Sequence, residues 1–241
     1  MNYVTLTKKE LHETAHERIH LITNEFKNAF IFLEKYPRSV TVFGGTHFPE
    51  SSKYYVQARS LCHQIVKKLH YAVLTGGGPG IMEAANRGAF EAGGDSIGLE
   101  IELHPEQEPN PYLTESIYFH YFFSRKMALS FSAEAYIFFP GGLGSLDEFF
   151  EIITLVQTGK IEKVPIILVG SDFWDATEKY MREELLKRGT ISEQDLTLFK
   201  ITDDENEVID IIRNAPIHNG IKFHHSDLER SGILSKKTDL I

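Results

Sequence analysis

Five short apolar runs, four of them closed by glycine, restrict what this chain can fold into. They are "SVTVFGG" (39–45), "YAVLTGG" (71–77), "SIGLEIE" (96–102), "AYIFFPGG" (135–142) and "VPIILVG" (164–170). Between most of them lie helix-length segments at 51–70, 80–92, 144–158 and 172–188. Alternation of buried strands with helices requires parallel strands joined by right-handed crossovers, with both sheet faces covered. The fold class predicted is therefore α/β, a Rossmann-like doubly wound parallel sheet with helices on both faces.

Ahead of the first strand, residues 8–35 carry apolar side chains at helical spacing (Leu11, Ile19, Ile22, Phe26, Phe30, Leu33), and Pro37 ends the run. The domain plan that follows is an N-terminal helical extension over 1–37, a nucleotide-binding catalytic domain over 38–215 and a C-terminal tail over 216–241. A chain of 241 residues suits one substantial domain with short additions.

In doubly wound sheets the ligand site lies beyond the carboxyl ends of the strands. Gly44 and Gly45, Gly76 to Gly78, and Gly141, Gly142 and Gly144 all fall there. Glycine often serves only to make the turn, but three such loops on one rim point to a phosphate or nucleotide cradle. The dinucleotide fingerprint fails, because "GGGPGI" places Ile81 where its last glycine belongs, and no Gly-x-x-x-x-Gly-Lys-Ser/Thr occurs. A smaller anion, a monophosphate held by backbone N–H groups at helix starts, fits what remains.

On the helix after Gly144, Leu146, Phe149, Phe150 and Ile153 form an apolar stripe expected to face the sheet. Asp147, Glu151, Thr154 and Thr158 form a polar arc, with Asp147 read as a solvated acid of the first turn. Glu148 is expected on the opposite side from the stripe, beside Ile152 and Leu155, where a second subunit would have to enclose it. Arg125 and Lys126 follow the aromatic run 118–123 and feed the strand that leads to Pro140. They are placed to pair with a phosphate or with Glu148.

"PGGLGSLDE" (140–148) closely resembles the Pro-Gly-Gly-x-Gly-Thr-x-x-Glu signature of the LONELY GUY (LOG) family of nucleoside 5′-monophosphate phosphoribohydrolases. The resemblance runs from about Val40 to about Asp210, through "TGGGPGIMEAANRGAFEAGG", "EQEPNPYLT", "YFFSRKMAL" and "LVQTGKI". It implies a Rossmann-like homodimer that cleaves the N-glycosidic bond of AMP-type nucleotides, cytokinin riboside monophosphate among the candidates, to free base and ribose 5-phosphate. The family's catalytic arginine and glutamate fall on Arg125 and Glu148. Ser145 stands where the pattern has threonine and keeps the hydroxyl.

In the mechanism expected, Glu148 stabilises an oxocarbenium-like sugar and draws a proton from water, while Arg125 binds phosphate or ribose. Phosphate and substrate contacts are expected from Gly44, Gly45, Gly77, Gly78, Gly141, Gly142, Gly144, Ser145, Lys126 and Met82. Met82 and Met127 could line the base, although methionine is more often core filler. "EPNPYLT" reads as pocket rim or as a simple connector. The alternative to an enzyme is a non-catalytic nucleotide-binding or carrier protein, which would need the glycine loops but not both Arg125 and Glu148.

No cofactor and no metal are expected. His218, His224 and His225 lack a neighbouring acid or cysteine at ligand spacing, and Cys62 sits inside a helical pattern as a buried thiol. A net charge of −9 argues against a general nucleic-acid binder, which needs an excess of Lys and Arg. No membrane-spanning run and no signal-peptide pattern are present in the sequence, so a cytoplasmic location is expected.

Overall fold

A computed structural model describes residues 7–102, 108–131 and 133–217. The tail with His218, His224 and His225, and the first part of "EQEPNPYLT", lie outside the described residues. Seven parallel strands form one sheet: β1 Ser39–Phe43, β2 Ala72–Thr75, β3 Ser96–Ile101, β4 Glu115–Phe119, β5 Ala135–Phe138, β6 Ile166–Leu168 and β7 Lys200–Ile201. Their order is β4-β3-β2-β1-β5-β6-β7. The helices are α1 Lys8–Leu33, α2 Lys53–Leu69, α3 Ile81–Glu91, α4 Phe122–Phe131, α5 Leu143–Gln157, α6 Ser171–Tyr180 and α7 Glu205–Asn214, with a π-helical turn Met181–Leu186 continuing α6.

Strand residues alternate between two cores, as a sheet covered on both faces demands. Tyr136 and Phe138 of β5 enter one core with Phe149 and Trp174. Ala135 and Ile137 enter the other with Leu61, Ile65 and Ile209. Helices α2, α3 and α7 thus cover one face, and α1, α4, α5 and α6 the other. The end of α1 belongs to the core: Ala29, Phe32 and Leu33 are buried.

Two strands escaped the sequence reading. β4 is an edge strand with mostly half-buried side chains, so it lacks the continuous apolar signature, and β7 has only two residues. The strand order reverses at β1, which lies between β2 and β5. The crevice of such a sheet opens at that reversal, so the loops after β1 and β5 flank it. The Gly45 N–H donates to Pro140 O at 2.9 Å and locks these two loops together.

Candidate functional site

A cleft of about 280 Å³ opens at the reversal point. Gly44, Gly45, Met82, Arg125, Lys126, Gly142, Gly144, Ser145 and Glu148 all line it. Gly77 and Gly78 line a smaller space that continues the cleft past Gly76 and Arg125. Gly141 does not face the cleft; it lines a depression behind it with Phe48 and Tyr54. Met127 is absent from these linings and is exposed.

The glycines have distinct physical reasons. A Cβ at Gly76 would lie 2.0 Å from Arg125 Nη2, so Gly76 makes room for the guanidinium. A Cβ at Gly141 would lie 2.1 Å from the Ser145 hydroxyl oxygen. At Gly142 and Gly144 a Cβ would meet nothing within 4 Å, so protein packing explains neither glycine. Both line the cleft at the start of α5, whose N-cap Gly142 offers no side-chain oxygen to the first-turn amides. Those donors and the positive end of the helix dipole face the cleft, an arrangement suited to an anion.

Arg125 is fixed by two backbone carbonyls: Nε donates to Leu99 O at 2.7 Å and Nη2 to Gly76 O at 3.1 Å. Burial lowers its pKa from the ordinary arginine value, against the opposing pull of Glu148 and Glu100; it remains a cation. Glu148 is buried, and its Oε2 has no hydrogen-bond partner. Burial pushes its carboxyl up to about 7; Lys126 and Arg125 pull it down, while Glu151 and Asp147 add to the rise. A carboxyl that titrates near neutrality inside a cleft is suited to proton transfer.

The orientation expected for Glu148 requires correction. The buried face of α5 carries Glu148, Phe149, Ile152 and Ile153, whereas Leu146 and Phe150 are only partly covered. Glu148 turns inward toward Arg125, so its own subunit already encloses it. Apolar periodicity alone gives the wrong rotation, because it does not register half-buried cations, Arg125 and Lys126, that favour a carboxylate on the inner face. Asp147 is solvent-facing as expected, and Lys126 Nζ lies 2.6 Å from it and 2.8 Å from Glu151. Burial works against the lysine cation, but these two acids hold its pKa above the ordinary value. The ammonium is therefore engaged as a clasp between α4 and α5.

A buried polar network that the sequence reading missed sets the second glycine loop. The Gly77 N–H donates to Thr75 Oγ1 at 2.9 Å, Thr75 donates to Asn86 Oδ1 at 2.6 Å, and Asn110 Nδ2 donates to Asn86 Oδ1 and Gly77 O, each at 3.0 Å. Glu108 and Pro109 of "EPNPYLT" line the smaller space, and buried Asn110 ties the segment to the glycine loop. Cys62 is buried, with its thiol pushed up by burial, as the helix pattern implied.

Fold and cleft together define a doubly wound α/β protein with an anion-ready helix start facing a half-buried arginine and a buried glutamate. A family model described as "Possible lysine decarboxylase" matches residues 82–212, more than half of the chain, and the chain belongs to this family, the LOG family. A cytokinin riboside 5′-monophosphate phosphoribohydrolase of Rhodococcoides fascians is 29% identical over 148 residues, 60% of this chain and 74% of that protein. One of Arabidopsis thaliana is 30% identical over 141 residues, 58% of this chain and 66% of that protein. The molybdenum cofactor carrier protein of Chlamydomonas reinhardtii shares the fold at a TM-score of 0.55 and 22% identity, over 73% of this chain and 96% of that one.

Proposed function

We propose that this protein hydrolyses the N-glycosidic bond of purine nucleoside 5′-monophosphates, AMP first among them, to free base and ribose 5-phosphate. The observation that carries the reading is Glu148, a buried carboxylate with an unpartnered oxygen, one helical turn past open first-turn amides and facing Arg125. The names of the relatives support the same reaction class.

In this mechanism the phosphate sits on the amides of Gly144 and Ser145, with the Ser145 hydroxyl assisting. Arg125, locked by its two carbonyls, orients the ribose and counters the charge of Glu148. As the C1′–N bond lengthens, its electron pair leaves with the base and C1′ gains positive charge that ionised Glu148 stabilises. Water adds to C1′ and gives a proton to Glu148; Glu148 then releases that proton to solvent as the base nitrogen takes one up, so that one water is consumed and the carboxylate is restored. A decarboxylase running through a lysine Schiff base fits poorly, because Lys126, the lysine lining the cleft, is held between Asp147 and Glu151.

Two copies packed through α4 and the start of α5 complete the proposal. Phe122, Phe123 and Met127 are exposed there, and Leu143 is 87% exposed. The deciding assay incubates the full chain with AMP, GMP, CMP and isopentenyladenosine monophosphate, with base release followed by chromatography and mass in solution by sedimentation. Free adenine from AMP and a dimer are expected; tight AMP binding with no base released would leave only the carrier function.

The phosphate site has its own test. Gly144→Ala places a methyl in open space in the first turn of α5, so folding is preserved and stability is not lowered. The same methyl intrudes where the phosphate is expected, and calorimetry should show about tenfold weaker ribose 5-phosphate binding. Unchanged affinity would move the phosphate off this amide.

A further inference from the structure

Glu100 plays no part in the mechanism above, yet it is 5% exposed and its Oε1 is buried without a hydrogen-bond partner. It stands near the carboxyl end of β3, beneath the second glycine loop: a Cβ on Gly77 would come within 2.7 Å of its Cγ. An ionised carboxylate accepts hydrogen bonds only, and leaving one buried without donors is costly. Arg125 interacts with it electrostatically, but the guanidinium donates to the carbonyls of Leu99 and Gly76 instead. The carboxylate therefore has accepting capacity that the chain leaves unused.

That capacity faces ligand space. Glu100 lines the smaller compartment, which shares Gly76, Met82, Phe122 and Arg125 with the main cleft but reaches neither Ser145 nor Glu148. Along the rim the loops come in the order β5, β1, β2, β3. Three strand spacings of about 4.8 Å put roughly 14 Å between the α5 amides and Glu100. Along that line a monophosphate on α5 would bring its ribose to Arg125 and Glu148 and its base to Glu100.

We infer that Glu100 reads the base, its carboxylate accepting a hydrogen bond from an exocyclic amino group, so that the compartment selects 6-aminopurine over unsubstituted purine. The inference rests on the phosphate placement under Proposed function. A site built around an acceptor discriminates strongly against a ligand that lacks the donor, because the buried acceptor is then left unpaired.

The test compares AMP with purine riboside 5′-monophosphate, which lacks the 6-amino group, in wild type, Glu100→Met and Glu100→Gln. Wild type is expected to favour AMP by about 10- to 100-fold in kcat/KM. In Glu100→Met that ratio falls toward one, mainly through a higher KM for AMP, with the amino-free substrate turned over as well as before. Glu100→Gln keeps a carbonyl acceptor and falls between; if the Met variant does not fold, a Gln ratio below wild type is the supporting result. A ratio unchanged by the substitution, or an equal loss for both nucleotides, overturns the assignment. If wild type releases base from no monophosphate, the hydrolase reading fails by itself. Calorimetric binding of the same two nucleotides then decides Glu100: a preference for AMP that Glu100→Met removes supports it, and no preference, or binding of neither, overturns it.

Discussion

Glu148→Gln is expected to lower base release from AMP by about 10²- to 10⁴-fold while AMP still binds, the range typical of losing a positioned general base or charge stabiliser. The amide matches the carboxylate in shape but neither neutralises an oxocarbenium-like sugar nor takes a proton from water. The same substitution should make the protein more stable, and the sign follows from the carboxyl pKa of about 7 in the fold. An unfolded glutamate ionises near pH 4.3. Between those values the unfolded state releases its proton first, so this group erodes stability as pH rises through the window, by about 4 kcal/mol once above it. Gln has no proton to lose. Thermal unfolding of Glu148→Gln and wild type should coincide near pH 4 and diverge by several degrees near pH 8, with the variant melting higher. In wild type, kcat/KM should fall tenfold per pH unit below about 7, as ionised Glu148 is titrated away. Full activity in the Gln variant, or an activity limb centred near pH 4, would remove Glu148 from the reaction.

What the sequence discloses of this molecule, and what it withholds, follows from burial. β1, β2, β3, β5 and β6 are legible because they are buried on both faces and their apolar runs are continuous. β4 hides because an edge strand keeps half-exposed side chains, and its Glu115 holds Lys35 and Tyr36 rather than filling a core. The glycine loops are legible as a rim, but their separate reasons are not: only the fold shows that Gly76 yields to a guanidinium while Gly142 and Gly144 yield to nothing in the protein. Arg125 and Glu148 stand out in the chain, yet apolar periodicity puts Glu148 on the wrong side of α5, since what covers a helix is set by distant residues. Glu100 shows no signal in "SIGLEIE", where it alternates like a solvent-facing acid with Glu102. Its burial comes from the Gly77 turn and the Pro109 segment, sequence neighbours of neither. Local pattern carries the frame; the electrostatics of the cleft arise from loops that meet only in three dimensions.

Arg125→Met is expected to cost activity and stability together, in contrast to Glu148→Gln. Methionine fills much of the arginine volume, but Leu99 O and Gly76 O lose their donors, and Glu148 and Glu100 lose the cation that interacts with both. Breaking a partly buried charge arrangement in this way destabilises by about 3 kcal/mol. In the catalytic cycle the loss is twofold: the ribose is no longer oriented, and the Glu148 carboxyl, which Arg125 now helps to keep ionised, should titrate at still higher pH. Turnover at pH 7 should drop by about 10²-fold or more, and the acid limb of the activity profile should move upward from about 7. Arg125→Lys separates the two effects. It keeps the charge, so the limb should stay close to its wild-type position, but an ammonium cannot span both carbonyls with a planar fork, so the rate should remain low. A merely structural arginine would lower the melting temperature in both variants and leave the limb unmoved; an upward shift in Met but not in Lys identifies the positive charge at position 125 as what tunes Glu148.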